Sequence, residues 1–307
     1  MTPKTPSPAA EESSRAVGFL VVLGATACWG TSGIFVKYVV AATDISALAL
    51  AFRRDLSTFL VLLTSIALLR PAWLRIERRD LKWLIGMGGS LGIFHIFWNL
   101  GVMVNGAAVA TVQQAAMPAI VAVAAWLIWH EPLTWRKILA VVLTFVGTVL
   151  VSGPEGLSRA EFSLSGLLIG LGIPITYASW NLFGKKVRER QNPLTTLLFA
   201  FGFGALVLLP FQFFTPQPWP VPPSAWLSFA GLIGLATIAA FFLYTFALGR
   251  LPASVASILA MAEIPIVSFY AYVLLNERMT AGQSVGAALV VGGVLLLYQN
   301  RRTNTSS

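Results

Sequence analysis

Long apolar runs alternate with short polar segments along almost the whole chain. Ten runs stand out, at residues 16–40, 46–69, 81–104, 107–129, 135–152, 165–183, 193–214, 224–248, 253–275 and 280–298. A helix rises ~1.5 Å per residue and a bilayer core is about 30 Å thick, so runs of this length suit membrane-crossing helices. Spanning β-strands would read as alternating segments of about 10 residues, whereas these runs are continuous and about twice as long. The pattern predicts an all-α polytopic membrane protein with ten transmembrane helices. The longest segments between runs are 71–80, 153–164 and 215–223, which leaves no room for a soluble domain. Residues 1–15, rich in Pro, Ser, Thr and Glu, are expected to be a disordered cytoplasmic N-terminus. They are not a signal peptide, because the apolar run behind Arg15 is too long and leads into further runs. Residues 300–307 read as a short cytoplasmic tail.

Lysine and arginine placement sets the orientation, since loops on the cytoplasmic side carry an excess of both. With the N-terminus inside, the inner segments hold 16 of the 21 basic residues, from Lys4 and Arg15 through the Arg75–Lys82 and Lys185–Arg190 clusters to Arg301 and Arg302. The outer segments hold Lys37, Arg159 and Arg278, and Arg53 and Arg54 lie within the second run. The split places both termini in the cytoplasm of a multi-pass protein of the cell (inner) membrane. It also requires an even number of crossings, independently of hydropathy.

The chain repeats itself. Trp126 to Thr134, which ends in a Glu-x-x-Thr turn at Glu131, aligns with Tyr272 to Thr280 and its Glu277. Upstream, Trp98-Asn99 and Asn105-Gly106-Ala107 align with Tyr244-Thr245 and Leu251-Pro252-Ala253, and Ala27-Cys28-Trp29 aligns with Ala178-Ser179-Trp180. The two copies, 16–152 and 165–299, hold five runs each. Five is odd, so the second copy is expected to lie upside down relative to the first. Inverted repeats are a mark of secondary transporters that bind their substrate near the membrane midplane, between the halves.

Trp29-Gly30 in the first run, Pro118 and Pro265 in the fourth and ninth, and the turns Glu131 to Thr134 and Glu277 to Thr280 together resemble the EamA repeat of the drug/metabolite transporter superfamily. The resemblance covers nearly the whole chain. It implies a ten-helix carrier of inverted repeats around a central cavity, exporting small metabolites, often amino acids or related compounds. It further implies that helices one, three, four, six, eight and nine line the cavity while five and ten lie outside.

The residues themselves offer candidates for substrate binding. Glu263 sits near the middle of the ninth run, just before Pro265, where a charge costs about 2.5–3.5 kcal/mol on insertion scales and normally faces protein or water. It either binds a substrate amine, carries a proton, or serves as a structural carboxylate; Tyr270 shares its face. The first copy has Ala116 or Met117 in its place. Gln113 and Gln114, one turn before Met117-Pro118, point about 100° apart, so one is expected in the cavity and one at a helix interface; an amide both donates and accepts, which suits a zwitterion. His95, Trp98 and Asn99 share one face of the third run, and Tyr244 is the repeat mate of Trp98. These aromatics either hold the solute or anchor the helix ends at the membrane interface. Trp29 lies too deep for an anchor, and its mate is Trp180; each is either a cavity or a packing residue. Arg53, Arg54 and Asp55 are expected to form a structural or interfacial cluster, with an outer gate or recognition of an anionic group as the alternative. Glu131 and Glu277 are expected to cap the following helix or to pair with Arg136 or Arg278.

Composition narrows the classes. The chain is 57% hydrophobic and 11% charged, with mean hydropathy +0.78, against about 25% charged for a soluble domain. The net charge of +9 reflects topology rather than nucleic-acid binding, because the cations cluster in short loops. One cysteine and two histidines offer no disulfide framework and no metal site, and neither a phosphate-binding Gly-Lys-Ser/Thr nor a hydrolase signature is present, so no enzyme and no cofactor are expected. The expected function is a secondary transporter exporting a small organic metabolite, an amino acid or related compound, by alternating access. The alternative is a multidrug exporter of lipophilic cations on the same fold, and the remote one an intramembrane enzyme or scaffold. Expected partners are the small-molecule substrate and the lipid bilayer, with proton coupling and a homodimer left open.

Overall fold

A computed structural model of the chain describes residues 8–153, 163–215, 222–275 and 278–299. The expectations for the start of the N-terminal segment, Glu277 and the C-terminal tail lie outside the described residues. The described residues are helical, with no strand among them. In chain order the helices are α1 (Pro8–Gly30), α2 (Ser32–Thr43), α3 (Ala47–Leu69), α4 (Arg78–Asn105), α5 (Ala107–Gln114), α6 (Met117–Trp129), α7 (Trp135–Ser152), α8 (Leu164–Val187), α9 (Pro193–Leu208), α10 (Pro223–Ile233), α11 (Ala240–Leu248), α12 (Ala253–Ala260), α13 (Glu263–Leu275) and α14 (Ala281–Gln299). Eight continuous stretches among the described residues are long and apolar enough to cross a membrane, so the expectation of ten is met for eight. Of the other two, α3 carries Arg53, Arg54 and Asp55 within it, and the apolar helix Ala281–Leu297 is shorter.

Four of the expected spans are interrupted near their middles. Thr31 separates α1 from α2, Ala115–Ala116 separate α5 from α6, Met261–Ala262 separate α12 from α13, and a π-helical stretch, Gly234–Ala239, joins α10 to α11. The second and third breaks are repeat-related, and each precedes a proline by the same physical rule. Proline has no N–H and its ring crowds the carbonyl four residues earlier. That carbonyl belongs to Gln114 for Pro118 and to Met261 for Pro265, and the helices break there. Although Pro265 follows Glu263, the break falls just before the acid, which becomes the first residue of α13.

The pairing of elements follows the repeat. The first expected span (α1–α2) packs against the eighth (α10–α11), and the third (α4) packs in the same way against the sixth (α8). The second packs on the seventh (α3 on α9), the fourth on the ninth (α6 on α12) and the fifth on the tenth (α7 on α14). Exchanging the two halves maps these pairs onto themselves, although the third span also packs closely on the seventh while its repeat mate, the second on the eighth, is a slight contact. The α7–α14 contact is close: a Cβ on Gly147 would stand 2.6 Å from the carbonyl oxygen of Gly286, and one on Gly286 would stand 2.6 Å from that of Gly147. Small residues let helix backbones approach in this way.

Candidate functional site

A cavity of about 620 Å³ lies among the helices that break. Its wall takes Trp29 and Gly33 from α1–α2, Arg54 from α3, Phe94, His95, Trp98 and Asn99 from α4, and Thr111 and Gln114 from α5. Tyr177 of α8, Phe241 of α11 and Glu263, Ile264 and Val267 of α13 complete it, with Leu232 and Ala236 beside the π-helical stretch. Its mouth is set by helix ends: Val40 of α2, Ala107 and Ala108 of α5, and Val151 and Ser152 of α7. Among the described residues none of its lining comes from the opposite end of the bundle, so the described cavity opens at one end.

The inner part of the wall is a continuous aromatic chain. Phe94 stacks on Tyr177 with ring centres 4.7 Å apart, Tyr177 on Trp180 at 5.6 Å, and Trp180 on Tyr244 at 5.5 Å. Tyr244 lies 5.1 Å from Trp29, which meets Phe241 edge-on at the same distance. Glu263 lines the same cavity as these rings. It is partly exposed, and what exposes it is the cavity. It makes no hydrogen bond or ion pair with any described residue, and Tyr177 is near enough to feel its charge. Its place at the first turn of α13 is favourable to a carboxylate, because the unpaired N–H groups of a helix start carry partial positive charge.

A second polar group faces the same space. Arg54 Nη2 lies 2.5 Å from His95 Nε2, and His95 Nδ1 lies 3.1 Å from Asp55 Oδ2. A guanidinium has only donors, so Nε2 must accept, and Nδ1 carries the proton donated to Asp55. Arg54 Nε stands 3.7 Å from Asp55 Oδ1, and the Asp55 side chain is fully buried. Asn99 donates to the His95 carbonyl at 2.6 Å.

The closed end is tied by charged side chains. Glu131 accepts from the N–H of Ala253 at 2.9 Å, the N–H of Ser254 at 3.4 Å and the Ser254 hydroxyl, and it pairs with Lys137 at 3.6 Å. It caps α12 in the other half, not the helix that follows it, whose cap is Thr134. Lys185 donates to the carbonyls of Leu248 and Leu251 at 2.9 and 2.8 Å, and Arg188 to that of Thr245 at 2.9 Å. Both cations sit on the carbonyl-rich end of α11, where positive charge is favoured. Burial, and then the neighbouring Arg250, bring the Arg188 guanidinium down to about 10. Asp80 accepts from Gln191 at 2.7 Å and pairs with Arg190 at 3.3 Å, joining α4 to the turn after α8.

The model of the EamA-like transporter family matches this chain twice, over residues 16–153 and 164–299. The chain belongs to the EamA-like transporter family. Its relatives include a protein of Archaeoglobus fulgidus named as an uncharacterized transporter, 28% identical over 89% of this chain and 95% of its own length. YwfM of Bacillus subtilis, also named an uncharacterized transporter, is 28% identical over 91% of this chain and 92% of its own. A Rickettsia prowazekii protein named an S-adenosylmethionine uptake transporter is 23% identical over 68% of this chain and 69% of its own. A solved structure at 20% identity superposes with a TM-score of 0.77, covering 95% of this chain and 99% of that one, which shows a common fold.

Within this EamA-like chain, six of the ten candidate residues reach the cavity: Glu263, Trp29, His95, Trp98, Asn99 and Gln114. The other four stand behind its wall. Trp180 and Tyr244 are buried in the aromatic chain, where the Tyr244 oxygen accepts from Asn181. Gln113 turns away toward α8 and accepts from Asn105 at 3.3 Å, which divides the two amides as their spacing requires. Tyr270 donates to the Ala27 carbonyl at 3.2 Å and packs beside Gly30. The lining also differs from what the resemblance implied: α3 contributes through Arg54, and α7 reaches the mouth through its last two residues. Arg54 was expected chiefly in a structural cluster. Its neighbour His95 lies 41 residues away, and no spacing in the sequence joins the two.

Proposed function

We propose that this chain is a secondary carrier that moves a small organic metabolite, an amino acid or a related compound, across the cell membrane by alternating access. The observation that carries the reading is the one-ended cavity between the two repeats, with an unpaired carboxylate at the start of a half-helix. Half-helix ends at a repeat interface are where secondary transporters bind charged substrates. Its volume falls within the range of about 300–1,000 Å³ usual for small-molecule sites. The contact pairs that map onto themselves when the halves are exchanged support ten crossings in two inverted units, α3 and α14 included. The end tied by Glu131, Lys185 and Arg188 gathers the basic residues, which supports a cytoplasmic closed end, cytoplasmic termini and a cavity open to the outside. The name of the Rickettsia relative supports an amino-acid derivative as cargo.

Net flux is outward in this reading, driven by the proton gradient, with Glu263 exchanging a proton as the coupling step. The test is transport by purified protein in liposomes, using radiolabelled amino acids and amines on either side. Saturable flux of an amino acid, with an imposed pH gradient driving accumulation in the wild type but not in Glu263→Gln, is the expected result. The absence of saturable flux across the whole panel would sink the proposal.

A further inference from the structure

Glu263 is not the only ionic group in the cavity. Arg54 lines the same space, and the two do not pair with each other. Of the five N–H donors of its guanidinium, one is bonded to His95, and Nε has no hydrogen-bond acceptor. His95 in turn is fixed by Asp55, so the guanidinium is held in place from behind; Nε is buried beside Asp55, and the N–H groups of Nη1, with the second of Nη2, have no partner among the described residues. Asp55 offsets the charge of the cluster. Its side chain is fully buried, however, while that of Arg54 keeps 19% exposure, so a solute meets the cation and not the acid. A buried arginine kept beside a wet cavity, with donors to spare, matches a carboxylate in both charge and fork geometry.

We propose that Arg54, positioned by His95 and Asp55, is the carboxylate-binding residue of the transport site, so that the substrate is a zwitterion held between Arg54 and Glu263. The inference rests on the carrier reading above and narrows it. The guanidinium takes the carboxylate and Glu263 takes the ammonium. Trp29, Phe94, Trp98 and Phe241 between them offer an apolar surface to the substrate's side chain. Among the described residues the rest of the wall is apolar or uncharged, apart from His95, which is already committed to Arg54 and Asp55. A zwitterion gives the Glu263 carboxylate a cation and the unbonded donors of Arg54 an acceptor. A lipophilic cation would match Glu263 but leave those Arg54 donors without an acceptor, so the cluster favours a solute that carries a carboxylate.

The experiment is calorimetric titration of the full-length protein in lipid nanodiscs with L-phenylalanine, L-leucine and 6-aminohexanoate, each alongside its amide and its des-amino acid. The three zwitterions cover different spacings between the two charges. At least one zwitterion is expected to bind ten or more times more tightly than its amide and its des-amino analogue. In Arg54→Gln the preference for the zwitterion over the amide should be lost, the cationic amide binding at least as tightly as to the wild type, and an unaltered thermal midpoint reports that the variant is folded. In Glu263→Gln the des-amino acid should bind as well as the zwitterion. If Arg54→Gln does not fold, Arg54→Lys keeps the charge but loses the fork and should weaken the preference for the zwitterion without abolishing it. Equal binding of zwitterion and amide by the wild type, or a preference that survives Arg54→Gln, overturns the assignment. In either case saturable flux in liposomes would leave the carrier reading standing. Flux that fails for every solute would remove that reading instead.

Discussion

Replacing Glu131 by alanine should unlock the closed end. The carboxylate holds the first two residues of α12 through three acceptor contacts and balances Lys137, and both side chains are about nine-tenths buried. Losing a helix cap costs ~0.5–2 kcal/mol, and losing a negative charge at a helix start costs about 0.3–1 kcal/mol more. Lys137 is left without a counter-charge, which adds to the cost. A working total of ~2 kcal/mol, at about 1.4 kcal/mol per factor of ten, raises the proportion of molecules open at that end roughly thirtyfold. The single cysteine makes the assay simple. In a Cys28→Ser background, Ser257→Cys reports the closed end, since Ser257 is fully buried in α12, and Ala108→Cys reports the mouth. With Glu131→Ala, maleimide labelling should speed up at position 257 and slow down at position 108. Opposite signs are the point. General loosening would accelerate both, and either that result or unchanged rates at both positions would refute the lock.

Three further outcomes follow from the packing. Gly147→Leu should lower the thermal midpoint sharply, because its Cβ alone would stand 2.6 Å from the Gly286 carbonyl and overpacking costs about 1–3 kcal/mol; Gly292→Ala, with nothing within 4 Å, should leave it unchanged in the same melting experiment. Lys185→Met removes two carbonyl contacts from the end of α11 and should speed labelling at position 257 in the way Glu131→Ala does, by a smaller factor since no cap is lost. Asp55→Asn takes the acceptor charge from His95 and should weaken zwitterion binding while leaving the affinity for the amide alone, measured by the same titration.

The spans were legible because a membrane imposes a length and a polarity on every crossing helix, and neither depends on the partner. The helix breaks were half legible. Pro118 and Pro265 announce them, but the strain of a proline falls on the carbonyl one turn earlier, so the acid ends up at a helix start rather than inside a bend. The π-helical stretch carries no proline, and no pattern in its sequence marked it. Site residues divided by face. Trp29 and Trp98 were placed at the cavity, while their repeat mates Trp180 and Tyr244 pack behind it. An alignment of repeats says which residues correspond, not which way each copy has turned its surface.

That divergence between copies bears on how a nearly symmetric frame can bind an asymmetric solute. In the register that pairs Glu131 with Glu277, the mate of Glu263 is Met117, which is fully buried and outside the cavity. The acid therefore comes from the second half alone, and the cation, Arg54, from the first. A pair of identical charges related by the repeat would repel each other across the cavity and would hold a substrate equally well in two orientations. One acid and one cation, each supplied by a different half, define a single polarity for the substrate while the halves remain free to rock against each other. Exchanging the two charges, as in Arg54→Glu with Glu263→Arg, should then restore part of the zwitterion binding lost in each single variant, measured by the same titration; a double variant no better than either single one would show that the two residues do not act on one ligand.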